Sequence, residues 1–213
     1  MKKYLIAASL VVLFSCSKVD EGDSSSTGEV AYFKMYLDGK SVDFTQSDYT
    51  SPVYVQEFVH SGCFSSGQDC VIDYGAVLMP FTGTSLVPNI GFSFDNLYNE
   101  PSQVDEPATF YSLFTVVPSN FITESQETNN VKGIDVQYTS IDNKTYSTLN
   151  GSQTGSSMTV LSSKQGIDNG GVLKIQTIIA KINCKLYNDA NPSDVITLTD
   201  GQFKLIFREK STN

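Results

Sequence analysis

The stretch EVAYFKMYLDGKSVDF, residues 29–44, contains two runs in which apolar residues recur at alternate positions, one before and one after Asp38-Gly39. The first run covers 29–37 and the second covers 40–44. Alternation with a period of two is the pattern of a half-buried β-strand. An Asp-Gly pair between two such runs is the strongest short-range signal for a β-hairpin. The stretch therefore predicts a hairpin that begins an antiparallel sheet.

The rest of the chain continues this pattern, with turn residues between runs rich in β-branched and aromatic side chains. These runs lie at 53–59, 71–79, 90–94, 133–139, 157–161, 172–186, 195–198 and 203–207. About ten short strands separated by turns indicate an all-β protein with a single antiparallel β-sandwich of jelly-roll type. The long run 172–186 could bend across two sheets. Residues 105–115 depart from the pattern, because acidic residues precede Pro107 and apolar residues follow at helical spacing, so they predict one short helix, with a strand as the alternative.

The amino terminus has the layout of a secretory signal peptide. Lys2 and Lys3 precede an apolar run, residues 5–14, and the small residue Ser15 stands before Cys16. Such a segment is removed on export. A run of this length is too short for a permanent span, since a transmembrane helix needs about 20 apolar residues.

The residues Leu13-Phe14-Ser15-Cys16 resemble the lipobox of bacterial lipoproteins, although Phe14 is bulkier than the usual occupant of its position. The resemblance implies cleavage before Cys16 and acylation of its thiol and amino groups, with the acyl chains (palmitate among them) anchoring the protein in a membrane. Two or more chains anchor a protein stably, whereas one does so only marginally. An ordinary signal peptide that ends near a cysteine is the alternative.

The segment after Cys16 predicts a disordered acidic tether, residues 17–28, since it has almost no apolar side chain to bury. Lys18, Asp20 and Glu21 resemble the charged export signal that Bacteroidota place behind the lipidated cysteine of outer-leaflet lipoproteins, with Val19 interrupting it. The resemblance implies an outer-membrane, cell-surface location. A solvated linker on a periplasm-facing protein is the alternative. The predicted organisation is a signal peptide at 1–15, the lipidated cysteine and tether at 16–28, and one β-sandwich domain at 29–213.

The C-terminal part of the chain carries a second resemblance. Its motifs, in order, are GIDVQY (133–138), TYST (145–148), GSQ (151–153), SSMTV (156–160), INCKLY (182–187) and LTDGQF (198–203). Together they are similar to uncharacterised Bacteroidota surface lipoproteins, over roughly the last third of the chain. This resemblance implies a β-sandwich-like lipoprotein domain and carries no activity with it.

Composition excludes some partners. The formal net charge is −9, and nucleic acids and anionic lipid surfaces are bound through clustered Lys and Arg. We therefore expect no nucleic-acid partner. The acidity does not select any other partner.

Three cysteines remain once Cys16 is acylated. Cys63 and Cys70 bracket a short Gly- and Ser-containing loop, and an exported protein can form disulfides, so we predict a Cys63–Cys70 bridge. Cys184 lies within a β-like run and is expected to be a buried thiol; a bridge from Cys184 to either loop cysteine is the rival pairing. His60, Cys63, Cys70 and Asp69 could supply zinc ligands, but the cysteine spacing is not that of a compact zinc motif and the compartment favours a disulfide. No metal and no cofactor are predicted.

Catalytic signals are weak. The single histidine, His60, would have to serve any Ser-His-Asp triad, and the chain contains no G-x-S-x-G elbow. The acids Asp95, Glu100, Asp105 and Glu106 cluster in sequence, so a glycosidase-like, carboxylate-dependent hydrolase is one alternative. A purely structural role in the envelope is another. We expect the protein not to be an enzyme.

A binding role fits the composition best, because aromatic faces beside Asn, Asp and Gln suit a sugar or a peptide. The candidate ligand-binding residues are Asp95, Asn96, Tyr98, Asn99, Glu100 and Tyr111. The same acids and amides could hold calcium, although the spacing matches no calcium-loop motif. The expected function is a non-enzymatic surface module that binds a glycan, a peptide or a partner protein. This hypothesis also predicts a contiguous exposed aromatic patch.

Overall fold

The structure is a computed structural model of the full chain. It describes residues 30–46, 53–63, 70–80, 88–98, 110–111, 114, 120–122, 132–167, 171 and 173–209, and for residues 54, 58–63, 70–72 and 96–98 it describes the backbone alone. The predicted signal peptide, Cys16 and the tether lie outside these residues. None of the described residues forms a helix long and apolar enough to cross a membrane.

The described chain is nearly all antiparallel β-sheet, which confirms the predicted fold class. The strands are β1 (Tyr32–Leu37), β2 (Lys40–Thr45), β3 (Val53–Cys63), β4 (Cys70–Pro80), β5 (Asn89–Tyr98), β6 (Lys132–Thr139), β7 (Thr145–Ser147), β8 (Ser157–Ile167), β9 (Lys174–Asn188) and β10 (Val195–Arg208). The predicted β1–β2 hairpin is present. Asp38 and Gly39 have φ angles of 46° and 77°, the positive values that a tight hairpin turn matching the strand twist requires.

All ten strands belong to one curled sheet with the order β2-β1-β10-β9-β7-β6-β5-β4-β3, and β8 also pairs with β9. The sheet divides into a first half, β2-β1-β10-β9-β8, and a second half, β3-β4-β5-β6-β7. Their connection is the short β7–β9 pairing of Tyr146 with Asn188 and of Ser147 with Tyr187. The halves pack face to face, so the sandwich arises from a single sheet.

β9 forms the corner of the fold, as its length suggested. One edge of β9 pairs with β10 from Ile175 to Tyr187. The other edge pairs first with β8, over Lys174 to Asn183, and then with β7. β10 joins the two predicted runs 195–198 and 203–207 into one strand, with a bulge between Leu198 and Gly201. The change of partner along β9 lets one strand serve both halves.

Aromatic rings fill the space between the halves. Phe203 of β10 lies 4.5 Å from Phe92 of β5, between ring centroids, and Phe207 lies 5.2 Å from Phe94. Phe114 contacts both Phe94 and Phe207. All five rings are buried. At the open end, the Arg208 guanidinium pairs with Glu57 of β3, so an ion pair also joins the halves.

Two short segments pack against the sheet, one in contact with both halves and the other paired with β6. Phe110, Tyr111 and Phe114 are helical, and the rest of the predicted helix lies outside the described residues. Residues 120–122 pair with β6 through Ile122 N to Ile134 O and Ile134 N to Asn120 O. A Cβ atom at Gly133 would lie 2.2 Å from Ile122 Cγ1, so only glycine allows this segment to pack on β6.

Candidate functional site

The candidate acid Asp95 lies within β5, which is longer than the predicted run 90–94. Its side chain is buried, 9% exposed, and its backbone pairs with Asp73 and Gly133. Asn96 and Tyr98 follow on the same strand, with only their backbone described. Asn99 and Glu100, like Asp105 and Glu106, lie outside the described residues. Asp95 is the only one of these acids among the described residues, so the acidic cluster stays a prediction.

Tyr111 holds the end of the first half in place. Its hydroxyl donates to the carbonyl oxygen of Gly166 in β8 at 2.9 Å, and the Lys174 ammonium lies 5.6 Å from its ring centroid. Its ring also contacts Phe110. These contacts give Tyr111 a packing role, and its part in ligand binding stays a prediction.

The cysteines of the described chain lie on β3, β4 and β9. The backbone register of β3 and β4 places Cys63 directly opposite Cys70, the arrangement that a cross-strand bridge needs. Cys184 is a free, buried cysteine, which confirms the expectation of a buried thiol. Burial, and secondarily the charge of Asp135, raises the pKa of this thiol. A thiol kept in its neutral form is a poor nucleophile.

A group of polar side chains gathers where β6, β7 and β9 meet. This polar corner consists of Asp135, Ser147, Thr148, Asn150 and Asp189. The Thr148 hydroxyl donates to Asp135 Oδ1 at 2.6 Å and accepts from the Val136 N–H at 3.1 Å. Asp189 Oδ1 accepts from the Ser147 hydroxyl at 3.1 Å and from Asn150 Nδ2 at 2.7 Å. Sequence reasoning missed this group because its members come from distant parts of the chain.

The two carboxyl groups of the polar corner have shifted acidities. Burial raises the pKa of Asp135 to about 6, against the bonds from Thr148 and the Val136 backbone, and the charge of Asp189 adds to the rise. Burial also raises the pKa of Asp189, while Ser147 and Asn150 lower it. Carboxyl groups with raised pKa values are a feature of acid–base sites. The side chains that donate to these two carboxyl groups come from β7 and from the loop that follows it. The same hydrogen bonds therefore also hold that loop in place.

A second group of bonds fixes the neighbouring loops, 140–144 and 189–194. Asp194 Oδ2 accepts from the Tyr146 hydroxyl and from Asn188 Nδ2, each at 3.1 Å. The Lys144 ammonium lies 3.7 Å from the same oxygen. The Asp189 N–H donates to the Thr145 carbonyl oxygen at 2.9 Å. The two loops are therefore held side by side.

The loop 148–156 lies across β9 and is held there by side chains. Gln153 Nε2 donates to the carbonyl oxygens of Thr148 and Lys185, at 3.0 and 2.8 Å. The Lys185 N–H donates to Gln153 Oε1 at 3.3 Å. The Tyr187 hydroxyl donates to the Ser152 carbonyl oxygen at 2.6 Å. The side-chain amide of Gln153 is thus hydrogen-bonded to the backbone of β9, at a point between the residues that pair with β8 and those that pair with β7.

The outer face of the first half carries two tyrosines of β1, the half-buried Tyr32 and the exposed Tyr36. Tyr32, Lys34 and Tyr36 alternate on β1 with buried core residues, and Tyr36 is 44% exposed. Lys34 pairs across the strands with Gln202 of β10. Its ammonium lies 5.8 Å from the Tyr32 ring centroid. The face is thus an aromatic and polar surface. The alternation of 29–37 predicts a half-buried strand, and these residues occupy its outward side.

Among the described side chains, no cluster of three His, Cys, Asp or Glu residues could hold a metal ion. The side chains of His60, Cys63 and Cys70 are not part of that set. Comparison with protein-family models, with curated proteins and with solved structures gives no match for the chain.

Proposed function

We propose that the chain is a lipid-anchored lipoprotein of the cell envelope, held in the outer membrane and exposed at the cell surface, whose folded domain is a non-enzymatic binding module. Support for the anchor comes from the short apolar run that ends at Cys16 and from the acidic tether that follows. A tether of this length separates the domain from its anchor by about 20 Å. The domain can then meet ligands outside the membrane surface.

The outer face of β1 supports the binding role most directly. Tyr32 and Tyr36 stand on one exposed side of the strand, with amide, hydroxyl and ammonium groups on the adjoining strands. Flat aromatic rings beside polar groups suit sugars and peptides. The ligand class is a glycan, a peptide or a partner protein.

The test is a glycan and peptide array probed with the full chain purified in a non-ionic detergent. We expect saturable binding that Tyr36→Ala weakens. The matched control is Tyr187→Phe, which removes a hydroxyl of β9 that donates to loop 148–156 and leaves the β1 face intact. Absence of saturable binding, or equal binding by the Tyr36→Ala variant, would contradict this function.

A carboxylate-dependent hydrolase is the second candidate. It draws on Asp135, whose pKa lies near 6, and on Asp189 close to it. A general acid needs a carboxyl group of this kind. If the protein is such a hydrolase, it should release reducing sugar from glycans. Both Asp135→Asn and Asp189→Asn should then lose this activity. Binding without any hydrolysis excludes it.

A further inference from the structure

β8 is an edge strand that the rest of the chain leaves largely uncovered. It pairs with β9 on one side, and no other strand of the described chain pairs with it. The side chains of residues 161–165 are all exposed. Because successive side chains of a strand point to opposite faces, both faces of β8 are open to solvent along this stretch.

The open side of β8 also presents backbone hydrogen-bonding groups. Residues 162–167 pair with β9 in an unbroken register, which begins after a bulge between Val160 and Ser162. A strand that pairs on one side only has N–H and C=O groups that point away from its partner. At the end of this run the Gly166 carbonyl oxygen accepts from the Tyr111 hydroxyl at 2.9 Å. The stretch that stays open is therefore 162–165, which we call the β8 edge.

The two faces of the β8 edge offer a partner different groups. On the side of the core, Ser163 lies opposite the buried Ile178, and its hydroxyl accepts from Gln176 Nε2 at 3.0 Å. On the outer side, Lys164 lies opposite Thr177. Lys164 is exposed and forms no ion pair within the described part of the chain. The outer side thus carries an available positive charge.

Neither β8 nor β9 supplies an acid to Lys164, because neither strand contains Asp or Glu. Asp200 lies on β10 and Glu209 directly follows it, and β10 pairs with the opposite edge of β9. Glu209 also forms an ion pair with Lys174. Asp168, which follows β8 in sequence, lies outside the described residues. Since opposite charges on facing strands attract, Lys164 favours an acidic residue on a strand that pairs beside it.

A second copy of the chain does not supply that residue through β8. Pairing of two β8 strands would set Lys164 against neutral residues or against the other Lys164. Each copy also carries a net charge of −9, so two copies repel each other. An extended peptide segment that contains Asp or Glu supplies both the backbone partners and the opposite charge.

We propose that the β8 edge binds an extended, acidic peptide segment of a partner protein by strand addition, with an Asp or Glu of that segment beside Lys164. In this mode of recognition, main-chain hydrogen bonds provide affinity and neighbouring side chains provide specificity. β10 and β9 separate β8 from the outer face of β1. This site is therefore distinct from the one in the proposed function.

The test measures the binding of two labelled peptides to the full chain in non-ionic detergent. One peptide has alternating Thr and Val residues around a central Glu, and the other has Lys in place of that Glu. We expect the Glu peptide to bind about five-fold more tightly, because opposite charges on facing strands stabilise and like charges destabilise. Methylation of alternate backbone nitrogens along one side of the Glu peptide should abolish binding, whereas methylation along the other side should not.

The variant Lys164→Glu should reverse the preference and bind the Lys peptide more tightly. Lys40→Glu is the matched control, because Lys40 is an exposed lysine on β2, the edge strand at the other end of the first half. It should keep the preference for the Glu peptide. The β1 face is tested separately by Tyr36→Ala on the arrays, so either proposal can fail without the other.

Four results would overturn this inference: failure of both peptides to bind, an unchanged preference in Lys164→Glu, a reversed preference in Lys40→Glu, or equal binding after methylation of either side. Analytical ultracentrifugation adds a fifth measurement. A dimer of the wild type that Lys164→Glu dissociates or strengthens would make a second copy, instead of a peptide, the occupant of the β8 edge.

Discussion

Among single residues, Asp135 shows how burial in the polar corner changes the acidity of a carboxyl group. Its carboxyl accepts from the Thr148 hydroxyl, yet burial still raises its pKa to about 6 from 3.8. A group with a raised pKa binds protons more tightly in the folded protein than in the unfolded chain. The folded state therefore gains stability from Asp135 at low pH, and that gain disappears as the pH rises through about 6.

Replacement of Asp135 by Asn should remove this pH dependence. From pH 4 to pH 7 the wild type is expected to lose up to about 3 kcal/mol through this group, whereas the amide has no charge to bury and can still accept from Thr148. Urea unfolding at several pH values measures the difference. We expect the free energy of unfolding of the variant to increase relative to that of the wild type as the pH rises. A difference that stays constant from pH 4 to pH 7 would contradict the assignment.

The candidate residues show why single positions are hard to place from sequence. The sequence predicts that the strand at 90–94 ends before Asp95, because the apolar alternation stops there. In the structure β5 continues to Tyr98, since β4 and β6 supply backbone partners on both edges. Pairing with distant strands outweighs the local preference of Asp and Asn for turns. No local sequence pattern marked the residues of the polar corner, because they become neighbours only when β6, β7 and β9 pair in the sheet.

At the scale of elements, the loop 148–156 depends on Gln153. Its side chain satisfies both the N–H and the carbonyl oxygen of Lys185, at a point of β9 where pairing passes from β8 to β7. Gln153→Ala would leave these backbone groups without that partner, at a cost of about 1 to 3 kcal/mol. Urea unfolding measures this cost. Gln137→Ala is the control, because Gln137 is exposed on β6 and should tolerate the change.

Full retention of stability in Gln153→Ala, or an equal loss in Gln137→Ala, would show that the loop does not need this side chain. Hydrogen exchange adds a local measurement. The amide of Lys185 should exchange faster in the Gln153→Ala variant, while amides of the β1–β2 hairpin keep their rates.

The β3–β4 hairpin carries the disulfide prediction. Directly opposed residues in antiparallel strands have Cα atoms about 4.5 to 5.5 Å apart, within the range of about 4.4 to 6.8 Å that a disulfide spans. The register places Cys63 and Cys70 in this relation. Mass spectrometry of non-reduced peptides should find them linked, in the wild type and in Cys184→Ser alike. A linked peptide that contains Cys184 would make the prediction wrong.

The elements themselves were mostly predictable, for a physical reason. The β1–β2 hairpin is local, so alternation and Asp38-Gly39 were sufficient to define it. β7, with three residues, is too short to show a period. The pairing of β1 with β10 joins the two ends of the domain, and no local pattern encodes such a contact. The positions of most strands and the fold class could therefore be predicted from the sequence, whereas the order of the strands in the sheet could be seen only in the structure.

At the scale of the whole molecule, one curled sheet separates two kinds of surface. Its inner face holds the aromatic core, and the outer face of the first half holds Tyr32, Lys34 and Tyr36 of β1. The proposed anchor precedes β1 directly in sequence, through the tether. The proposed binding surface therefore begins on the first strand after the proposed anchor.

Labelled palmitate combined with protease treatment of intact cells tests the central claim, a lipid anchor at Cys16 that leaves the domain outside the cell. We expect the wild type to take up label and to be degraded by external protease, and Cys16→Ala to take up none. Cys184→Ser is the control and should label like the wild type. Unlabelled wild type would contradict the anchor, and labelled protein that resists protease until the outer membrane is opened would contradict the surface location.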